Sequence, residues 1–206
     1  DREGQLVSQL NHPNIVATHA VRWIDGVGYG LVMDHVPGRT LKELLRDDSA
    51  PISFERAQQI LDDIAAGLGY AHERGIVHRD VKPENIFIDD ATGRAQLADF
   101  GIARSVLSGN QVTMAGVAIG TPTYMAPEQI DGSTVDARSD LYSLGLVGWE
   151  MLTGRRPWDG ETLYNVIFRQ KHDQLPAIDA LRPGTPARLA YAIEGLLEKS
   201  PAERWQ

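Results

Sequence analysis

The sequence predicts an α+β fold, and three features carry that expectation. There are two strand-like runs near the N-terminus, an amphipathic stripe from Phe54 to Ala71, and an apolar segment at 141–152. The first ten residues read as the tail of a helix with Leu6, Val7 and Leu10 on one face, ended by Asn11-His12-Pro13. Residues 15–23 and 29–36 follow as strands, with Asp25-Gly26 as their hairpin turn. Pro37-Gly38-Arg39 is a hinge leading into a short helix at 41–46. Ser53 caps a long helix to about Glu73, whose buried face is Phe54, Ala57, Ile60, Leu61, Ile64, Leu68 and Ala71. Ile86-Phe87-Ile88 and 95–98 are short strands joined by a turn at 89–93. Asp140 opens a helix over 141–152 that is apolar nearly all round and therefore buried. Helices near 162–171 and 187–199 complete the chain.

Composition narrows the classes. At 206 residues and 42% hydrophobic, the chain makes one large domain, or part of one, with a sizeable core. A net charge of −8 argues against a nucleic-acid binder, which would carry a basic stripe. With no cysteine there is neither a disulfide framework nor a thiolate metal site. No run of 18 apolar residues occurs, and Asp1-Arg2-Glu3-Gly4 is not a signal peptide, so the expectation is a cytoplasmic domain without membrane contact of its own. It remains compatible with a segment of a membrane-anchored protein.

The chemistry is concentrated in two runs, His78-Arg79-Asp80-Val81-Lys82-Pro83-Glu84-Asn85 and Asp99-Phe100-Gly101, the second acid lying 19 residues after Asp80. The first sets an acid, a cation and an amide at fixed offsets in one loop. The second sets an acid beside a glycine that lets the chain turn. Phosphoryl transfer needs this equipment, because it is catalysed mainly by positioning and charge neutralisation. Taken singly, each triplet is an ordinary loop or turn; the combination and the two intervening strands are what single it out.

Together these runs resemble the catalytic motifs of the eukaryotic-type protein kinase family, and Lys82-Pro83-Glu84 resembles its Ser/Thr branch. The resemblance implies a protein-kinase-like fold, mostly the helical C-lobe (37–206) with a remnant of the N-lobe sheet (1–36). It implies that Asp80 accepts the substrate hydroxyl proton and that Lys82 meets the transferring phosphate. Asn85 and Asp99 then hold Mg²⁺, and Thr121 bonds toward Asp80 and Lys82. Around ATP it places Met33 at the gatekeeper position, Asp34 and Val36 as backbone partners of adenine, and Phe87 beneath the ring. Glu3 takes the place of the helix glutamate that pairs with a strand lysine. The glycine-rich loop and that lysine are not in the chain, so it reads as a fragment that is weak or inactive alone, although the complete product should be active.

Residues 101–123 are rich in Gly, Ser, Thr and Ala and end in Gly120-Thr121-Pro122-Thr123-Tyr124-Met125-Ala126-Pro127-Glu128, which resembles the end of a kinase activation segment. By that resemblance Glu128 forms a buried ion pair with Arg204, and Asp140 anchors the catalytic loop from below. Arg79 suggests control by a phosphate in the segment, added by another kinase or by self-phosphorylation, with Thr113 the first candidate and Ser105 and Ser108 weaker ones. Gly116-Val117-Ala118-Ile119-Gly120 and Glu128-Gln129 look like the bacterial branch. The expected function is transfer of the ATP γ-phosphoryl group to Ser/Thr hydroxyls of protein substrates. The alternative is a pseudokinase scaffold that docks partners without catalysis, which has no need of Asp80, Lys82, Asn85 and Asp99 together. A small-molecule kinase would lack the long segment from 101 to 128.

Overall fold

The computed structural model describes residues 10–26, 28–47, 51–100 and 122–205. Strands β1 (Thr18–Ile24) and β2 (Gly28–Met33) pair antiparallel, and Gly26 and Gly28 take the positive φ that their tight connection needs. Among the described residues this sheet has two strands, and Val21, Trp23, Ile24 and Val32 are exposed on it. The first strand was expected to begin at residue 15 but begins at Thr18, and residues 14–16 lie outside it. They stitch instead to the far sheet, with the Val16 N–H donating to Leu97 O and the Leu97 N–H to Asn14 O, each at 2.9 Å.

The hinge at Pro37-Gly38-Arg39 is not a plain connector. Gly38–Thr40 forms strand β3, antiparallel to β4 (Ile86–Asp89), which pairs with β5 (Ala95–Leu97) in the order β3-β4-β5. Gly38 permits this because a Cβ there would stand 1.9 Å from Ile88 O. Gly38→Ala should therefore destabilise the fold by about 1–3 kcal/mol, the usual cost of overpacking, which a lowered urea midpoint would register.

Helix α1 is Leu41–Asp47 and helix α2 is Phe54–His72, with Ser53 Oγ accepting from the Arg56 N–H as its N-cap. The predicted stripe is buried except for Phe54, which is partly covered: Ile60, Ile64 and Leu68 are fully covered, each contributing about 1.5–3 kcal/mol by leaving water. Two short helices escaped the periodicity reading, α3 (Pro127–Asp131) and α6 (Ile178–Leu181), because neither completes two turns. Helix α4 (Ala137–Thr153) starts a turn earlier than expected, capped by Asp136, so Asp140 lies inside its first turn. Helix α5 is Leu163–His172, capped by Thr162, and α7 is Ala187–Leu196, which ends before Lys199. The central α4 packs between α2 and α7: a Cβ on Gly148 would meet Ile193 at 3.1 Å and Leu61 at 3.3 Å. No helix among the described residues is long and apolar enough to cross a membrane.

Candidate active site

The loop between α2 and β4 brings three of the expected residues together. Lys82 Nζ pairs with Asp80 Oδ2 at 2.7 Å, and Asn85 Nδ2 donates to Asp80 O at 2.8 Å and to Asp80 Oδ2 at 3.1 Å. The amide nitrogen of Asn85 is thereby committed to the loop, which leaves its oxygen as the atom able to bind a cation. Pro83 starts a 3₁₀ turn over Pro83–Asn85 that delivers the chain into β4.

His78 ties this loop to the residue before Asp99. Its Nε2 lies 2.8 Å from Ala98 O, and its Nδ1 accepts from the Asp80 N–H at 3.2 Å. Burial holds the imidazole below its ordinary pKa, although Asp140 and the Ala98 carbonyl pull the other way. The ring is therefore neutral, with its proton on Nε2. It also packs edge-on against Phe100 at 4.6 Å, while the Ala98 N–H donates to Asn85 O at 2.9 Å. Asp99 follows at once, exposed, with φ of 60°. Arg79 has φ of 67°, so both sides of the site hold a non-glycine residue in the left-handed region, a strain of about 1–3 kcal/mol each that surrounding bonds must offset.

Those bonds come from below. Asp140, 1% exposed, accepts from the His78 N–H at 2.8 Å and the Arg79 N–H at 2.7 Å, and His72 Nε2 lies 2.7 Å from its Oδ2. Gln129 Nε2 donates to Arg79 O at 3.0 Å. Glu128 and Arg204 form the expected ion pair at 2.6 Å, with side chains 8% and 0% exposed. His72, Gln129 and Ser139, which donates to Glu128 Oε1 at 2.7 Å, were not anticipated. None of these three contacts has a local signal in the sequence, because each depends on a partner elsewhere in the chain.

On the other side of the site, Val16, Val36, Ala98 and Phe87 form a small apolar cluster next to Asp99. Met33 ends β2 half-exposed. The Asp34 N–H is used by Ala17 O at 2.9 Å, so its carbonyl is the backbone group left to a ligand. Its side chain meets His19 Nε2 at 2.6 Å on the surface. Glu3 and Thr121 lie outside the described residues, as do Thr113, Ser105 and Ser108. Among the described residues no cluster of three or more His, Asp or Glu side chains forms. A cation here would thus take one amide oxygen and one carboxylate from the protein, and the rest of its shell from phosphate and water, which suits Mg²⁺.

Further from the loop, the hydroxyl of buried Tyr124 donates to Glu150. Burial pushes the Glu150 carboxyl up to about 7, against the Tyr124 hydrogen bond and Arg156, and burial with Glu150 beside it pushes the Tyr124 phenol up as well. The folded state thus holds the Glu150 proton longer than the unfolded state does. Below about pH 4.5 the group costs nothing; between there and 7 stability falls as pH rises, by about 3 kcal/mol in all. Glu150→Gln keeps an acceptor for Tyr124 and should abolish that decline. Urea midpoints of parent and variant would then diverge from pH 4.5 to 7.5, whereas parallel curves would mean an exposed carboxylate.

This combination of a hydrogen-bonded catalytic-type loop, an acid beside it at position 99 and a helical frame is that of a domain of the kinase class. Residues 1–206 match the family described as "Protein kinase domain", and the chain belongs to that family. It is 40% identical over 210 residues to the serine/threonine-protein kinase PknB of Mycobacterium tuberculosis, across 100% of this chain and 33% of that protein. With the serine/threonine-protein kinase PrkC of Bacillus subtilis it shares 36% identity over 205 residues, 100% of this chain and 31% of the relative. The crystal structure of the Mycobacterium tuberculosis PknI kinase domain superposes with a TM-score of 0.78 at 32% identity, covering 99% of this chain and 71% of that one. The fold is thus protein-kinase-like, mixed and mostly helical, and the chain spans about a third of the length of these curated relatives.

Proposed function

We propose that the protein containing this chain is a Ser/Thr protein kinase that transfers the ATP γ-phosphoryl group to hydroxyls of protein substrates. Residues 37–206 would be its C-lobe and 1–36 the end of its N-lobe. The observation that carries this reading is the hydrogen-bonded unit of Asp80, Lys82 and Asn85, joined through His78 to the backbone beside Asp99. In it Asp80 would orient the substrate hydroxyl and take its proton late, as the O–P bond forms. Lys82, already 2.7 Å from Asp80, faces the charge on the phosphoryl group. Asn85 and Asp99 would hold Mg²⁺, which when bound neutralises the phosphate oxygens. Thr121 would brace Asp80 and Lys82 from the segment.

For the nucleotide, the Asp34 carbonyl and Val36 backbone would meet adenine, Phe87 and Val36 would form its apolar bed, and Met33 would limit its depth. Glu3 would serve the phosphates through a strand lysine. A kinase drawing on ATP and Mg²⁺ would work in the cytoplasm, and kinship with PknB and PrkC favours a bacterial-type enzyme. Incubating the complete protein with radiolabelled ATP and a Ser/Thr protein substrate tests the reading. Label transfer should require Mg²⁺ and vanish in Asp99→Asn; equal incorporation by parent and variant would remove the metal role from Asp99.

A further inference from the structure

Of the chain's four lysines, three are ion-paired: Lys42 with Glu84, Lys82 with Asp80 and Lys171 with Asp131, at 2.5–2.9 Å. The fourth, Lys199, has no carboxylate in ion-pair range among the described residues. Its Nζ donates instead to two neutral acceptors, Tyr142 Oη at 2.8 Å and Gln170 O at 2.9 Å. The half-buried side chain lines a cavity of about 210 Å³, together with Tyr142, Trp149, Pro176, Leu197 and Glu198. That cavity is separate from the phosphoryl-transfer site and has room for a short acyl chain.

We propose that Lys199 is a site of Nε-acylation, accepting short acyl groups from activated donors, either thioesters or acyl phosphates. In the step, the lone pair of the neutral amine attacks the donor's carbonyl carbon and a C–N bond forms. The C–S or C–O bond breaks, the leaving group departs with that electron pair, and the amine proton passes to solvent.

The surroundings favour the neutral amine. Burial brings its pKa down to about 8; Asp173 pulls the other way, and the Arg204 guanidinium adds to the lowering. The rings of Tyr142 and Trp158, 5.3 and 5.9 Å away, temper this by attracting the cation, and Glu194 and Glu198 also line the cavity. About a quarter of such amines are uncharged at pH 7.5, against about 0.1% for an ordinary lysine. Acylation leaves one N–H where three donors stood, so Tyr142 and Gln170 cannot both be held. Gln170 Nε2 in turn donates to Thr123 O, so the loss reaches the backbone of the 3₁₀ turn at Pro122–Tyr124.

The test is site-resolved mass spectrometry of the complete protein after acetylation from pH 6.5 to 9. One arm uses a neutral thioester, S-acetyl-N-acetylcysteamine, and the other acetyl phosphate, each with and without concentrated urea. At pH 7.5 Lys199 should react at least about tenfold faster than Lys42 and Lys171, with its rate levelling above pH 8.5 and the advantage gone in urea. An advantage with either donor supports the site, and the faster donor identifies its source. A Lys199 rate no higher than those of Lys42 and Lys171 with both donors, or an advantage that persists in urea, would overturn it.

Discussion

Asp80→Asn in the complete protein should lower kcat for phosphoryl transfer by about 10²–10⁴ while leaving the melting temperature in place. The substitution preserves shape. The Asp80 main-chain oxygen keeps its 2.8 Å bond from Asn85 Nδ2, and an amide oxygen can still accept from Lys82. On the proposed role, what disappears is the negative charge that would face the incoming hydroxyl and the site that would take its proton late. Because that charge matters only as the O–P bond forms, the loss should fall on kcat rather than on the KM for ATP. A variant with parental kcat and a raised KM would show Asp80 to be a binding residue, and one that melts early would show it to be a structural one. Steady-state kinetics and calorimetry on the same preparation separate these outcomes.

The second large effect is on stability. Every N–H of the Arg204 guanidinium has an acceptor: Glu128 Oε1 and Oε2 at 2.6 and 2.8 Å, Arg138 O at 3.0 Å, Glu198 O at 2.7 Å and Lys199 O at 3.0 Å. Such a pair stabilises little relative to an apolar isostere, but removing one member strands the other without solvent. Glu128→Ala or Arg204→Ala should each cost about 3–5 kcal/mol, near 10 °C of melting temperature for a domain of this size. Arg204→Ala is the worse of the two, because it also leaves three main-chain carbonyls without their donor. The double variant should cost less than the sum, since the second deletion removes a group already stranded. Burial alone would raise the Glu128 carboxyl, but the bonds from Arg204 and Ser139 outweigh it and hold it below the usual carboxylate range. The stabilisation is therefore present above about pH 4.5 and lost as pH falls through the depressed folded value. Melting curves identical to the parent would mean that the pair contributes nothing.

How much could be read beforehand depended on how local the cause was. The Ser53-capped helix, the 86–88 and 95–98 strands and the fixed offsets of Asp80, Lys82 and Asn85 each have a cause within a few residues of chain. The strand at Gly38–Thr40 did not: three residues opened by a glycine carry no alternation, and only the partner β4 makes them a strand. Asp140 was read as the residue opening its helix, whereas Asp136 caps it; its hold on the loop 61 residues upstream was expected only through the family resemblance, because nothing local in the chain announces it. His72 and Lys199 were illegible for the same reason. Each owes its character to groups far along the chain, Asp140 for one and Tyr142 with Gln170 for the other.

A crystal structure of the complete protein with Mg²⁺ and a non-hydrolysable ATP analogue bears most directly on whether these loops form one phosphoryl-transfer centre. Asn85 Oδ1 and the Asp99 carboxylate should both stand about 2.0–2.1 Å from a Mg²⁺ ion that also touches phosphate oxygens. Asp80 should remain outside that shell, facing the place of the acceptor hydroxyl. A metal-bound triphosphate held without Asn85 and Asp99, or seated away from Val36 and Phe87, would contradict it.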